Sequence, residues 1–154
     1  MTNQDYSIEP YTVNDRVQVL DVWEDSVLAT HDFLDQTDFQ EIKKLVQAID
    51  FTAFEVYCLK QNNKVAGFIG VAGQKIEMLF FSPEYIGKGL GRKLTDFAFS
   101  ELKTDKVDVN EQNTKAVRFY EKLGFKAYER TEKDDQGRKY PLLKMKLETA
   151  EKNR

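Results

Sequence analysis

Three glycines at alternate positions stand in the stretch GKGLGRK, residues 87–93, between an apolar run and an amphipathic segment. Glycine lets the backbone bend freely and leaves its N–H groups uncovered. A helix that follows such a loop directs its own unpaired N–H groups, the positive end of its dipole, back at the loop. This arrangement binds phosphate groups, and Lys88, Arg92 and Lys93 add positive charge. The stretch therefore predicts a site for a ligand that carries a phosphate or a pyrophosphate.

The spacing of the glycines separates the common phosphate-binding motifs. A P-loop requires G-x-x-x-x-G-K-[ST], and counted from Gly87 the second glycine would fall on Arg92. The dinucleotide fingerprint G-x-G-x-x-G also requires glycine where Arg92 stands. The spacing disfavours both motifs, and with them a nucleotide-binding oxidoreductase. A plain glycine-rich turn without a ligand remains open for so short a motif.

A resemblance to a known family rests on two motifs. Residues 86–91 resemble the acetyl-CoA loop [RQ]-x-x-G-x-[GA] of the GNAT N-acetyltransferases, with Ile86 where that family has Arg or Gln. Residues 109–125 resemble the family segment N-x-x-A-x-x-x-Y-x-x-x-G-F, in which Asn113 and Tyr120 are the polar positions. Three shorter segments are similar to those of a YjaB-like bacterial subgroup: residues 31–34, 108–113 and 134–143.

The resemblance implies an acetyl-CoA-dependent N-acetyltransferase that acts on a primary amine, in a small molecule or at a protein lysine or N-terminus, by direct attack in a ternary complex. An alkylammonium has a pKa of about 10.4, so the acceptor must lose a proton before it attacks. Negative charge on the thioester oxygen needs an N–H donor, and the departing thiolate needs an acid. A GNAT-fold protein that binds acyl-CoA as a sensor, without turnover, is the alternative that Ile86 keeps open.

Three residues are candidates for proton transfer. Tyr120 occupies the tyrosine position of the family and would protonate the leaving sulfur, although a tyrosine that anchors the core through its hydroxyl is the alternative. Glu77 is a candidate base, because alternation along a strand puts it on the face of Leu79 and Phe81. His31 is the other candidate, because its pKa range suits proton transfer and the resemblance puts it near the acceptor pocket. A solvated glutamate and a structural histidine are the alternatives for these two.

The resemblance also implies which residues contact coenzyme A. The strand before the loop would offer its backbone, the loop its amides and charges, and Asn113 its side-chain amide, although Asn113 also suits a helix cap. The full set is Leu79, Phe80, Phe81, Ile86, Gly87, Lys88, Gly89, Leu90, Gly91, Arg92 and Asn113. Because Ile86 lacks the cation or amide of the family, weaker binding of coenzyme A is expected. Asn110 and Tyr140 would line the acceptor pocket.

Seven acidic residues gather early in the chain: Asp21, Glu24, Asp25, Asp32, Asp35, Asp38 and Glu41. They either steer a cationic amine to the acceptor side or form the ordinary polar faces of two helices. No sequence feature identifies the acceptor amine itself.

Hydrophobic periodicity predicts an α/β (α+β) protein with one mixed sheet and the order β-α-α-β-β-β-α-β-α-β-β, which is the order of the GNAT fold. Strands are predicted over 7–12, 54–59, 65–71, 76–81, 107–109, 125–130 and 142–147. Asn14 or Asp15 would cap the first helix, whose expected apolar positions are Val17, Leu20, Trp23 and Val27. A capping box at Thr37 and Gln40 would start the second helix. The unit around the glycines is expected to be a right-handed crossover.

Length and composition predict one packed domain over residues 1–148, followed by a polar tail over 149–154, because 41% of the 154 residues are hydrophobic. The net charge of −3 gives no reason to expect a nucleic-acid partner. The single cysteine, Cys58, is expected to be a buried small hydrophobe, which favours a reducing cytoplasm. Residues 1–5 lack signal-peptide features and no apolar run reaches the length of a membrane span. A monomer or homodimer without a metal is expected.

Overall fold

A computed structural model describes residues 5–148, and within that range the chain forms seven β-strands and four α-helices. The first part contains β1 (Tyr6–Pro10), α1 (Arg16–Thr30), α2 (Gln36–Gln47), β2 (Glu55–Gln61), β3 (Lys64–Ala72) and β4 (Lys75–Phe81). The second part contains α3 (Leu90–Glu101), β5 (Lys106–Asn110), α4 (Thr114–Lys122), β6 (Phe125–Thr131) and β7 (Leu142–Leu147). The predicted order is confirmed, and the strand bounds agree with the predicted ones to within two residues. The predicted tail and the first four residues lie outside the described residues.

The strands form one mixed sheet in the order β1-β2-β3-β4-β5-β7-β6. Only β4 and β5 run parallel among the described strands, and α3 connects them. Their pairing is short: it joins Lys75 to Lys106 and Ile76 to Val107, although β4 continues to Phe81. Beyond Ile76 the two central strands therefore separate, and a gap opens in the middle of the sheet.

Helices cover the sheet on both faces, and α1 buries a different stripe from the predicted one. Its buried residues are Val19, Val22, Trp23, Ser26 and Val27. Val17, expected in the core, is 71% exposed. The buried positions follow helical spacing, but Ser26 occupies one of them, and a buried serine is invisible to a count of apolar residues. The prediction was thus wrong for Val17, while Trp23 and Val27 are buried as expected.

The helix caps also differ in part from the prediction. The α2 helix begins at Gln36, and the Asp35 carboxylate accepts a 2.8 Å hydrogen bond from the Asp38 N–H, so Asp35 is the cap in place of the box at Thr37. Asp15 stands at the N-cap position of α1, but its carboxylate lies 3.0 Å from Lys60 Nζ and makes no capping bond to the helix. Asn113 caps α4 as predicted, since its side chain accepts a 3.2 Å hydrogen bond from the Ala116 N–H.

Cys58 is fully buried on β2, as expected for a small hydrophobe. Burial raises the pKa of its thiol to about 12, so the thiol is uncharged at neutral pH and is not a nucleophile. Within residues 5–148 no helix is long and apolar enough to cross a membrane. In the same range no group of histidine, cysteine, aspartate or glutamate side chains is arranged to hold a metal ion.

Candidate functional site

The gap between β4 and β5 continues into a groove of about 840 Å³. Its walls come from the two separated strands, the starts of α3 and α4, and the end of α1. A cavity of this size suits a small ligand or part of a larger one. All three candidates for proton transfer, Tyr120, Glu77 and His31, line this groove, and so does most of the predicted cofactor set.

The hydrogen-bond register decides which way the β4 backbone points. The Ser82 N–H donates to the Ala66 carbonyl at 3.0 Å, so the backbone groups of Ser82 are directed at β3. Phe80, two residues earlier, pairs with Phe68 and also directs its backbone groups at β3. Backbone groups alternate along a strand, so Leu79 and Phe81 direct theirs away from β3, into the gap that β5 leaves. Two of the three strand residues predicted to offer backbone groups to the ligand are therefore open to the groove. Phe80 is not, because its backbone is directed at β3.

A β-bulge interrupts β4 at Glu77. Val71 pairs with Ile76 and Gly70 pairs with Met78, so Glu77 is an extra residue in the strand. The strict alternation that predicted a shared face with Leu79 is therefore broken at this point. Glu77 is exposed, lines the groove, and makes no ion pair or side-chain hydrogen bond within residues 5–148.

The three loop glycines have two different structural roles. Gly87 and Gly89 adopt φ values of +85° and +78°, and a Cβ at either position would meet no atom within 4 Å. These two glycines are therefore required by conformation, and they leave an open backbone surface. A Cβ at Gly91 would lie 3.2 Å from the ring of Phe119, so this glycine allows α3 to pack closely against α4. Since α3 starts at Leu90, its first N–H groups have no partner inside the helix and lie beside the loop.

The side chains around the loop differ in how they face the groove. Ile86 lines it and is 50% exposed, so no packing interaction fixes its identity. Arg92 lines it too, with Nε 3.3 Å from Asp96 Oδ1 in an exposed ion pair. Lys88 lies outside the groove wall, with Nζ 5.9 Å from the centre of the Tyr85 ring. Of these two cations, only Arg92 therefore contributes to the groove wall.

Tyr120 lies on α4 with only 6% of its surface exposed. Its ring packs edge-on against Phe119 and Phe125, with centroids 5.1 Å and 5.5 Å away. Within residues 5–148 its hydroxyl makes no hydrogen bond. The alternative role, a core tyrosine anchored by a hydrogen bond of its hydroxyl, is therefore not supported by these residues. Burial raises the pKa of the phenol well above its usual range, so it carries a proton at neutral pH. Asn113 lines the groove nearby while it caps α4.

His31 ends α1 and lines the same groove. Its Nδ1 lies 2.7 Å from the Thr30 hydroxyl, whose oxygen is also 2.7 Å from the Ser26 carbonyl oxygen. Burial lowers the pKa of His31 below its ordinary value, and the charge of the neighbouring Asp32 only partly opposes this. The ring is therefore neutral at pH 7 and can accept a proton.

The loop between β6 and β7 is fastened to α2, a feature that the sequence did not reveal. Arg138 lies 3.0 Å from Glu41 and 3.5 Å from Asp38. The Tyr140 hydroxyl donates to Asp38 Oδ2 at 2.6 Å and accepts from the Asp35 N–H at 3.2 Å. Tyr140, expected to line the pocket, is thus committed to α2 and is not part of the groove wall, whereas Asn110 is.

These contacts also account for several of the early acidic residues. Asp35 caps α2, Asp38 and Glu41 pair with Arg138, and Glu24 pairs with Lys43 at 3.0 Å. These four carboxylates are therefore engaged in ion pairs and a helix cap. This favours the interpretation that the acidic residues form ordinary polar helix faces over the interpretation that they steer a cationic amine. Another carboxylate that sequence reasoning missed, Asp108, lines the groove. It lies 2.6 Å from Lys75 Nζ and 3.5 Å from Lys144 Nζ.

Comparison with known proteins agrees with this geometry. Residues 21–149 match the acetyltransferase (GNAT) domain family. Peptidyl-lysine N-acetyltransferase YjaB from Escherichia coli is 38% identical over 128 residues, which cover 83% of this chain and 87% of that protein. The solution structure of apo YjaB from Escherichia coli superposes with a TM-score of 0.85 at 34% identity, over 94% of this chain and 99% of that one. The structure of yncA from Salmonella typhimurium with its cofactor acetyl-CoA shares the fold, with a TM-score of 0.66 at 22% identity over 92% of each chain.

Proposed function

The chain belongs to the GNAT acetyltransferase family and uses acetyl-CoA, and from this premise we propose that it acetylates lysine side chains of proteins by direct attack in a ternary complex. The observation that carries the proposal is the separation of β4 from β5, which leaves backbone groups of β4 open to a groove that Tyr120 also lines. The choice of lysine follows the name of the YjaB relatives, peptidyl-lysine N-acetyltransferases. The sensor alternative loses support, because these relatives are named as enzymes.

The residues of the groove fit acetyl-CoA, which supplies an acetyl group activated as a thioester. The open loop at Gly87 and Gly89 and the first N–H groups of α3 offer donors to a diphosphate. The backbone groups of Leu79 and Phe81 have no β5 partner and can pair with an extended amide chain, as a neighbouring strand would. An N–H on this strand also suits the position where negative charge develops on the acetyl oxygen. Arg92 is the loop cation that lines the groove, and it would leave its exposed pair with Asp96 to meet a phosphate.

Tyr120 is the proposed acid. Its phenol is protonated at neutral pH and makes no hydrogen bond within the described residues, so its O–H can donate to a departing sulfur, whose negative charge would assist the transfer of the proton. Asn113 is proposed to hold the ligand with its amide N–H₂, since capping occupies only its oxygen. Both residues lie on one side of the groove, at α4.

His31 is the proposed base and Glu77 the residue that attracts the incoming ammonium. The lowered pKa of His31 keeps its ring neutral at pH 7, which is the form that takes a proton. The Glu77 carboxylate lines the same groove and forms no ion pair within residues 5–148, although its charge contributes to the raised pKa of Lys75. It can therefore attract the lysine of an acceptor. The proton would pass from the lysine ammonium to the histidine directly or through one water.

We further propose that the protein works in the cytoplasm as a monomer or homodimer, and that its partners are acetyl-CoA and amine-bearing proteins and not nucleic acids. Cys58 is free and buried, which suits a reducing compartment. The overall charge of −3 is unfavourable for contact with a phosphate backbone.

The decisive experiment offers acetyl-CoA with a panel of acceptors and reads both thiol release and product mass. The panel contains lysine peptides, the same peptides with Nα blocked, polyamines and aminoglycosides. Acetylation at Nε of the Nα-blocked peptides is the expected result. Acetylation of small amines alone would refute the protein-lysine acceptor but leave the family assignment intact. Tight binding of coenzyme A with no thiol release on any amine would favour the sensor.

A further inference from the structure

The Thr30 hydroxyl stands between two possible hydrogen-bond partners at the end of α1. Its oxygen lies 2.7 Å from the Ser26 carbonyl oxygen and 2.7 Å from Nδ1 of His31. Two oxygens approach this closely only when a proton lies between them, and a carbonyl has none to give. The single hydroxyl proton of Thr30 therefore points at Ser26.

This arrangement decides where the His31 ring carries its own proton. With its proton committed to Ser26, the Thr30 oxygen can only accept from Nδ1. A ring protonated at Nε2 alone would set the Nδ1 lone pair against the lone pairs of that oxygen. The geometry therefore favours a neutral ring with its proton on Nδ1. Nε2, which makes no hydrogen bond within residues 5–148, would then keep a free lone pair.

We propose that Thr30 is a positioning residue for the acetyl transfer: it holds His31 in the Nδ1–H tautomer and so keeps Nε2 free to take the proton of the acceptor amine. The inference rests on the proposed role of His31 as the base. It adds a residue whose own side chain takes no part in the proton transfer. Orientation of a catalytic imidazole by a hydrogen bond at its other nitrogen is a general requirement of such bases.

The surroundings of the ring are compatible with a neutral imidazole. Asp32 is adjacent in the chain and favours protonation, but burial outweighs it. Phe33 packs at 5.2 Å on the same link, and Glu77 and Asp108 face the groove from β4 and β5. Asp108 is held by Lys75 and Lys144, so its charge is largely compensated. Tyr140 lies behind Phe33, 6.1 Å away, and is bound to Asp38.

The tautomer can be read directly, because His31 is the only histidine in the sequence. In tag-free ¹⁵N-labelled protein, long-range ¹H–¹⁵N spectra recorded across pH show one pair of ring nitrogens and give their protonation and pKa. Nδ1 is expected to be the protonated nitrogen in the neutral wild-type ring. In Thr30→Val, which keeps the shape and removes the acceptor, the signal is expected to move towards the Nε2–H form. Thr30→Ser, which keeps the hydroxyl, is expected to retain the wild-type pattern.

The kinetic counterpart uses the same variants with a lysine peptide and acetyl-CoA. Thr30→Val is expected to lower kcat roughly tenfold or more, as for loss of a positioned base, with an unchanged KM for acetyl-CoA and full rescue in Thr30→Ser. A wild-type ring protonated at Nε2, a Thr30→Val ring still protonated at Nδ1, or a changed tautomer with normal kcat would each overturn the proposal. The role of His31 as the base and the effect of Thr30 on its tautomer are tested separately. A normal kcat in His31→Gln would exclude His31 as the base. The ring spectrum of Thr30→Val tests the tautomer independently of activity.

Discussion

Tyr140 and Asp38, 102 residues apart in the chain, share a hydrogen bond of 2.6 Å in which the phenol donates to the carboxylate. Arg138 lies on the same loop and reaches Asp38 and Glu41. Together these contacts fasten the β6–β7 loop to the start of α2, next to the link that carries Phe33 and His31. The segment beside His31, where we expect the acceptor amine to enter (the acceptor end of the groove), is therefore held by a loop that does not line the groove.

Tyr140→Phe is expected to raise the KM for the lysine acceptor several-fold and to leave the KM for acetyl-CoA unchanged. The substitution removes the bond to Asp38 and the acceptor for the Asp35 N–H, which costs about 1–2 kcal/mol of unfolding free energy. Steady-state kinetics with each substrate varied in turn, and thermal unfolding, measure the two effects. Tyr128→Phe is the matched control, because Tyr128 is 56% exposed on β6, and it should change neither. Equal increases in both KM values would contradict a role confined to the acceptor end.

Tyr120→Phe is expected to lower kcat about a hundredfold, as for loss of a general acid, with little change in stability. The ring packing against Phe119 and Phe125 is retained, and no intramolecular hydrogen bond is lost within the described residues. The affinity for coenzyme A, measured by calorimetry, should stay within about twofold, because the phenol acts on the leaving sulfur and not on the diphosphate. A large loss of stability with a normal kcat would identify Tyr120 as a core anchor instead.

The strands and their order were predictable because alternation and turn residues are local signals. The same holds for the cap at Asn113, where one side chain meets an N–H three residues ahead. The buried stripe of α1 was partly missed, because Ser26 takes a core position and Val17 does not. Local sequence patterns therefore predict the helices and strands better than they predict which face of each helix is buried.

The features of the site that the sequence did not show arise from contacts between distant segments. The bulge at Glu77 is set by how β3 and β4 pair, with one extra residue in β4. No residue type in the β4 sequence indicates where that extra residue lies. The link from Arg138 to Glu41 spans 97 residues, so no spacing within either segment reveals it. The backbone conformation of the glycine loop could be predicted, because glycine adopts positive φ values without strain, as Gly87 and Gly89 do. That the loop binds a ligand stays a prediction.

Gly89→Ala is expected to weaken binding of coenzyme A at least tenfold. Alanine at a φ of +78° is strained by roughly 1–2 kcal/mol, and relief of that strain would turn the loop amides away from the ligand. Gly73→Ala is the matched control, because Gly73 has a φ of +65° and equally open space but lies in the β3–β4 turn. Both variants should lose similar stability, and only Gly89→Ala should lose affinity. Equal affinity in the two variants would show that the loop amides do not hold the ligand.

The pH dependence of kcat/KM, which reports groups of the free enzyme, is expected to show an acidic limb with a midpoint below about 6.5, the ordinary pKa of histidine. Burial lowers the pKa of His31 in the folded protein, so the ring stays neutral and active to lower pH than a free imidazole. As pH falls, His31 is protonated in the unfolded chain before it is protonated in the folded one. The free energy of unfolding therefore also falls as pH drops through about 6.5, and it levels off below the pKa of His31 in the folded protein. In His31→Gln, both kcat/KM and the free energy of unfolding should depend less on pH between 5 and 8. Stopped-time assays measure kcat/KM, and urea unfolding measures the free energy. An unchanged acidic limb in that variant would assign it to another group.

Ile86→Arg is expected to strengthen binding of coenzyme A several-fold. Ile86 lines the groove and is 50% exposed, so its replacement removes no core packing. An arginine there would add a charge-assisted hydrogen bond to a phosphate, worth about 0.5–1 kcal/mol at a solvent-exposed position. The gain should shrink as salt is raised, because exposed charges are screened. Ile86→Gln, which adds donors without charge, is the control and should gain less, with a weaker salt dependence. Calorimetric titration of the three proteins at two salt concentrations makes the comparison, and an affinity that stays constant in Ile86→Arg would mean that residue 86 does not meet the phosphates.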